Sequence, residues 1–219
     1  MLPLAERLRP KTLKEYIGQK HLVGEGAILR QMIERGTLSS FILWGPPGVG
    51  KTTLARIIAH ELERPFYTLS AVTSGVKEVR EVIDKAKRYA AMNSGLFGGE
   101  EKGDKHEGDR RAILFIDEIH RFSKSQQDSL LGAVEEGTIT LIGATTENPS
   151  FEVITPLLSR CQVYVLKSLE KADLLELLDR AVNEDEYIHS LNIEVKETES
   201  ILRYSGGDAR KLLNIIELV

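Results

Sequence analysis

Gly45-Pro46-Pro47-Gly48-Val49-Gly50-Lys51-Thr52 satisfies the phosphate-binding pattern GxxxxGK[ST] at each fixed position. Glycines let a backbone curl into a cup whose N–H groups point inward, and a helix starting at the same place adds the positive end of its dipole. In such a cup Lys51 reaches the β- and γ-phosphates of a nucleotide, and the Thr52 hydroxyl ligates Mg2+. The pattern carries weight only between a buried strand and a helix, and both are present. Ser40-Phe41-Ile42-Leu43-Trp44 is a short apolar run that ends at the first glycine, and Leu54, Ile57, Ile58 and Leu62 recur at helical spacing from Thr53 onward. The expected nucleotide-binding set is therefore Gly45, Pro46, Pro47, Gly48, Val49, Gly50, Lys51, Thr52 and Thr53. The bland alternative is a Gly/Pro loop followed by a surface lysine, and the flanking elements argue against it.

Outward from this loop the strand-then-helix order repeats. Pro65 to Leu69 reads as a strand, and Val76, Val79, Ile83, Ala86, Tyr89 and Ala90 form a helical stripe. Ala112 to Ile116 is a continuous apolar run, as in a central parallel strand, and ends in Asp117-Glu118. A helix over 125–136, a strand over 138–144, a short helix opened by Pro156 and a strand over 161–166 follow. Five strands alternating with helices predict an α/β fold with a five-stranded parallel sheet flanked by helices. Ahead of it, Thr12 is a candidate cap and 27–35 a candidate helix stopped by Gly36. Residues 93–110 are rich in glycine and charge with no apolar period, and read as a mobile inserted loop.

After Lys167 the strands cease. Helical periods run over 170–184 and 196–204, and Gly206-Gly207-Asp208 precedes a third helix bearing Leu212, Leu213, Ile215 and Ile216. The expected organisation is a nucleotide-binding domain at 1–167 and a small helical domain at 168–219. The last helix reads as apolar without a partner, which leads to the expectation of a fragment whose missing C-terminal sequence covers that face.

The 219 residues are 42% hydrophobic and 28% charged, an ordinary globular composition. The N-terminus has no signal-peptide core and no run approaches a membrane span, so a cytoplasmic location without membrane contact is expected. The single cysteine, Cys161, excludes an internal disulfide or a multi-cysteine metal site. It reads as a small buried residue. Net charge is −4, with +3 over residues 1–40 and −6 over 168–219. A DNA contact would have to come from a local basic or loop surface.

Phosphoryl transfer to water needs a phosphate cradle, a cation, a carboxylate to hold it and a group to orient the water. Asp117 at a strand end supplies the metal carboxylate and Glu118 the general base. A solvated turn would be the bland reading of this pair taken alone.

At this point the sequence resembles the AAA+ ATPases. Asp117-Glu118-Ile119-His120 looks like their Walker B box, and Arg7-Leu8-Arg9-Pro10 with Tyr16-Ile17-Gly18-Gln19 looks like the segment that packs on adenine in clamp loaders and Holliday-junction motors. Gly143 to Pro149 occupies the sensor 1 position: Thr146 aligns with the usual polar residue, Asn148 has the commoner side chain, and both stand as candidates. Ser159-Arg160-Cys161 resembles an arginine-finger motif, and Gly206 to Arg210 resembles sensor 2 of a helical lid. The combination of residues 3–10, 144–151 and 157–161 is similar to the narrower RarA/MgsA family, whose eukaryotic relative is the Werner-interacting ATPase.

What the resemblance implies is an ATPase using ATP and Mg2+ in replication, recombination and repair at stalled or damaged forks, associated with the nucleoid. It implies binding to forked or single-stranded DNA by structure rather than sequence, stimulation by DNA, replication or repair proteins as partners, and a homo-oligomer. Catalytic roles would fall to Glu118, Lys51, Arg160 and Thr146 or Asn148, adenine packing to Tyr16 and Ile17, and phosphate sensing to Arg210. The loop Val72 to Gly75, with Lys77 and Arg80, would face DNA. His120 reads as a local hydrogen-bonding group. A clamp loader, a branch-migration motor or a nucleotide-gated recruitment module shares these motifs. Weak turnover by the isolated chain is expected, because the finger acts between subunits.

Overall fold

The computed structural model describes residues 2–93 and 111–218. Its centre is the expected sheet, with β1 (Phe41–Trp44), β2 (Phe66–Ser70), β3 (Ala112–Asp117), β4 (Ile139–Thr145) and β5 (Gln162–Val165) in the order β2-β3-β4-β1-β5. All four pairings are parallel, with Leu43 opposite Ala144 and Tyr164, and Ser70 opposite Asp117. Parallel strands need crossovers, and the helices supply them on both faces.

Alternation along each strand assigns the two faces. Phe41, Leu43, Ile113, Phe115, Ile142 and Tyr164 point to one side, where Leu54, Ile57 and Ile58 of α4 (Lys51–Glu61) and Leu29 and Ile33 of α3 (Ile28–Glu34) meet them. Ile42, Leu69, Leu114, Ile116, Ile139 and Leu141 point to the other, covered by α5 (Val76–Asn93), α6 (Lys124–Glu135) and α8 (Thr155–Leu158). Phe41, Phe115, Ile42 and Leu114 are fully buried, each contributing about 1.5–3 kcal/mol relative to exposure. Cys161 packs at the edge of this second cluster, and burial pushes its thiol up to about 12.

Boundaries differ where the local chemistry is stronger than the apolar period. α4 starts at Lys51, two residues before the expected start at Thr53, because Gly50 takes a left-handed conformation and ends the loop there. α6 starts at Lys124 behind a capping box of Ser123 and Gln126. Short helices without a full apolar turn escape periodicity: α1 (Leu4–Arg7), α2 (Lys20–Val23), α7 (Pro149–Glu152) and α10 (Glu186–Ser190). The inserted loop expected at 93–110 lies, apart from Asn93 at the end of α5, outside the described residues.

A third cluster joins α9 (Lys171–Glu184), α10, α11 (Glu199–Ser205) and α12 (Ala209–Leu218). It also contains Leu4 and Leu8, so the N-terminal helix packs with the C-terminal ones although the sequence places it in the nucleotide-binding unit. Part of the face expected to lack a partner on the last helix is thereby covered, while Ile215 is half-buried and Leu218 exposed. Leu212, Leu213 and Ile216 are buried, because α1, α9 and α11 close over them. The Arg7 guanidinium donates to both carboxylate oxygens of Asp185, at 2.7 and 2.9 Å, and pairs with Glu217 at 3.3 Å. No helix among the described residues is long and apolar enough to cross a membrane.

Candidate functional site

The ends of β1 and β3 open onto one cleft where the sheet meets the C-terminal helices. Strand ends of this kind are where parallel sheets hold ligands, since helix N-termini converge there. The loop leaves β1 tightly pinned: the Gly45 amide donates to the Thr145 carbonyl at 3.2 Å, and a Cβ on Gly45 would stand 2.4 Å from the Leu166 carbonyl oxygen. Gly48 and Gly50 have φ of +70° and +94°, conformations glycine adopts without steric cost. Lys51 is only 7% exposed, and its Nζ donates to the carbonyls of Gly45 and Pro46 at 2.7 and 2.8 Å. Burial lowers its pKa, and the neighbouring Glu118 and Asp117 oppose that shift.

Thr52, Thr53, Asp117 and Glu118 line the cleft together with Lys51. Glu118 is in the left-handed region at φ 54°, ψ 47°, unusual for a residue with a side chain, and caps the 3-10 turn Ile119–Arg121. Such strain costs about 1–3 kcal/mol and clusters at working sites. Tyr16 is buried, its hydroxyl 3.3 Å from the Val49 and Gly50 carbonyl oxygens, which share its one proton, and burial raises its pKa. Ile17 lines the cleft beside it, and Arg210 enters from α12. Sequence reading passed over Arg180, which lines the cleft from α9 and donates to the Glu15 carbonyl at 2.9 Å. It also gave Arg9 no individual role, although the Arg9 Nη1 donates to Thr53 Oγ1 at 3.2 Å. The only sequence signal for Arg180 was its place one turn after Leu177. Of the four cations lining the cleft, Arg9 is paired with Glu6 and Arg180 with Glu184, which leaves Lys51 and Arg210 beside Asp117 and Glu118.

The other candidates fall elsewhere. Thr146 and Asn148 follow β4 and do not line the cleft, and the Asn148 side chain accepts the Ser150 amide at 3.0 Å as the cap of α7. Thr145 is tied to Glu118 through His120, which contacts Thr145 Oγ1 at 3.0 Å and Glu118 at 3.4 Å. Arg160 stands at the opposite end of β5, paired with Glu135 and donating to the Pro156 carbonyl at 2.7 Å. Val72, Lys77 and Arg80 are exposed, Lys77 reaching Glu81 at 3.9 Å.

Among the described residues no group of three or more His, Cys, Asp or Glu side chains could hold a metal ion alone. The Thr52 hydroxyl and the Asp117 carboxylate are a sparse oxygen set, which fits Mg2+ completed by phosphate oxygens and water.

Residues 41–169 match the model of the ATPase family associated with various cellular activities (AAA). The chain is 47% identical to replication-associated recombination protein A of Haemophilus influenzae over 99% of its own length and 46% of that relative. It is 43% identical to the ATPase WRNIP1 of Dictyostelium discoideum over 99% of its length and 23% of that protein. The RuvB Holliday junction branch migration motor of Thermotoga maritima superimposes with a TM-score of 0.69 at 29% identity, covering 96% of this chain and 64% of that one. The chain thus spans about half the length of the bacterial recombination proteins that it matches.

Proposed function

We propose, from the premise that this chain belongs to the AAA family of ATPases, that it binds ATP with Mg2+ in this cleft, hydrolyses it, and uses the cycle to act on DNA at stalled or damaged replication forks. The observation that carries the reading is the meeting of Lys51, Asp117 and Glu118 in one cleft behind a glycine loop, with Glu118 held in a strained backbone conformation. Loop amides and the N-terminus of α4 receive the phosphates, and Lys51 exchanges its bonds to the Gly45 and Pro46 carbonyls for phosphate oxygens. Thr52 and Asp117 hold Mg2+, which supplies charge neutralisation of the phosphates when bound. Glu118 takes the proton of the attacking water. Tyr16 and Ile17 form the wall for adenine, and Arg210 follows the phosphates from the C-terminal helices, which act as a lid.

Arg160 lies a strand's length from this cleft, on the order of 13 Å along β5, and its reading as a finger requires a second copy of the chain. The homo-oligomer is thus part of the proposal. The names of the bacterial relatives and of the RuvB motor support replication and recombination as the setting, with replication or repair proteins as partners in the nucleoid. Exposure of Val72, Lys77 and Arg80 supports their reading as a DNA-facing surface, with backbone contacts that weaken as salt rises. Thr146 or Asn148 as phosphate sensor would require movement of the segment after β4.

ATP turnover of the full-length protein on single-stranded, duplex and forked DNA, for the native sequence and Glu118→Gln, tests the reading. DNA-stimulated turnover lost in the variant, together with fork-related activity, is the expected result. Retention of all DNA-related activity by a variant without turnover would favour a nucleotide-gated recruitment module.

A further inference from the structure

Thr145 Oγ1 carries one proton and stands among three partners. It accepts the Glu147 amide at 3.0 Å, and it lies within hydrogen-bond distance of two possible acceptors, the Glu147 carbonyl oxygen at 3.1 Å and His120 Nδ1 at 3.0 Å. On the other side of the imidazole, Nε2 stands 3.4 Å from Glu118 Oε2. Thr145 is fully buried and the His120 side chain is 12% exposed, so water is a poor substitute for any of these partners.

A neutral imidazole has a proton on one nitrogen and a lone pair on the other, which leaves two patterns. When the Thr145 hydroxyl donates to Nδ1, the ring proton is on Nε2, the nitrogen 3.4 Å from Glu118 Oε2, where its positive end attracts the carboxylate. When the hydroxyl turns to the Glu147 carbonyl, Nδ1–H donates to Thr145 Oγ1 and Nε2 turns a lone pair toward that carboxylate. The first pattern holds Glu118 and the second repels it. Glu147 belongs to the segment after β4, between Thr146 and Asn148, so a shift of that segment changes the hydroxyl's alternatives. The Thr145 carbonyl meanwhile holds the Gly45 amide, which ties the same residue to the first position of the phosphate loop.

We propose that His120 and Thr145 are positioning residues for Glu118, and that the single hydroxyl proton of Thr145 relays the position of the segment after β4 to the carboxylate. This rests on the reading of Glu118 as the general base.

The test uses steady-state ATP hydrolysis, nucleotide affinity and ring-nitrogen NMR on His120→Ala, Thr145→Val, Thr145→Ser and the double variant His120→Ala/Thr145→Val. Each of His120→Ala and Thr145→Val is expected to lower kcat about tenfold, with nucleotide affinity unchanged to within about twofold. The double variant falls no further than about twofold below the worse single one, because both act through one chain of bonds. Thr145→Ser, which restores the hydroxyl, recovers most of the turnover lost in Thr145→Val. Independent losses that multiply, affinity that falls in step with kcat, or a serine variant as slow as the valine one would overturn the proposal.

The NMR arm needs no turnover. With the imidazole neutral, the native ring carries its proton on Nε2, and the Nδ1 signal moves toward that of a free lone pair in Thr145→Val. A proton on Nδ1 in the native protein, or an Nδ1 signal unmoved by Thr145→Val, would overturn it too. Absence of ATP hydrolysis in the native protein, with the NMR result as expected, would count against the hydrolysis reading alone.

Discussion

The Ala209 amide donates to the Gly48 carbonyl at 3.1 Å, and the Asp208 carboxylate lies so close behind that a Cβ on Gly48 would stand 1.8 Å from its Oδ1. The phosphate loop and the turn ahead of α12 are therefore in backbone contact, with no room for a methyl group. Gly48→Ala adds a side chain at φ +70° and forces Asp208 away. The expected cost is about 1–3 kcal/mol of stability together with a loss of nucleotide affinity. Urea denaturation and nucleotide titration check this, and an unchanged midpoint would show that the contact is slack.

Lys51 holds two carbonyls of its own loop, in bonds that a phosphate would replace. Lys51→Met keeps the buried alkyl stem and removes the charge, so the fold should survive while affinity for ATP falls by roughly tenfold or more. Calorimetric titration against a thermal melt separates the two effects. Equal affinities would remove Lys51 from the phosphate site.

Arg160 is bonded to Glu135 at a surface where both side chains are about 40% exposed, so Arg160→Ala should cost no more than about 1 kcal/mol of stability. Nucleotide binding by each subunit should be unchanged. Turnover by the assembled protein should fall roughly a thousandfold if the residue works on a neighbour's nucleotide. A variant with native turnover would leave Arg160 as the salt-bridge partner of Glu135 and nothing more.

The hydrogen bonds from Arg7 hold the Asp185 carboxyl below its usual range. A carboxyl whose folded pKa is depressed contributes its stability above the unfolded value of about 3.9 and loses it as pH falls through the lower folded value. Denaturation midpoints should therefore drop as pH falls below about 4, and Asp185→Asn should flatten that part of the profile. Arg7→Ala, which leaves Asp185 without its guanidinium, should cost about 2–4 kcal/mol at pH 7. A native-like midpoint in Arg7→Ala would show that the N-terminal helix is held by Leu4 and Leu8 alone.

What could be read from the chain in advance was what is encoded locally. The loop at 45–52, the strand ending at Asp117-Glu118 and the five-strand alternation depend on residue types a few positions apart, and each is where the sequence places it. Features made by distant residues were illegible. Nothing near Leu4 marks it as a member of the cluster that holds Leu212, and without α1 the last helix reads as bare. Arg180 is one of several polar residues on α9, and only the packing of that helix against the Glu15 turn brings it to the cleft, while Thr145, buried at the end of β4, is joined to Glu118 only through His120. The sensor position shows the same limit. Thr145 closes β4 and Thr146 opens the bend after it, so two adjacent threonines differ in environment in a way that their residue type does not encode.

The closure of Leu4 and Leu8 over α12 has a consequence for how the chain comes to be folded. The contact spans more than two hundred positions, Leu4 N to Glu217 Oε1 being 213 apart, so its loop-closure entropy is met only once nearly all intervening structure exists. During synthesis the N-terminal leucines emerge long before their cover is made. Until α12 is made they lack this cover, and an apolar pair without its cover is a site at which a partly made chain can aggregate.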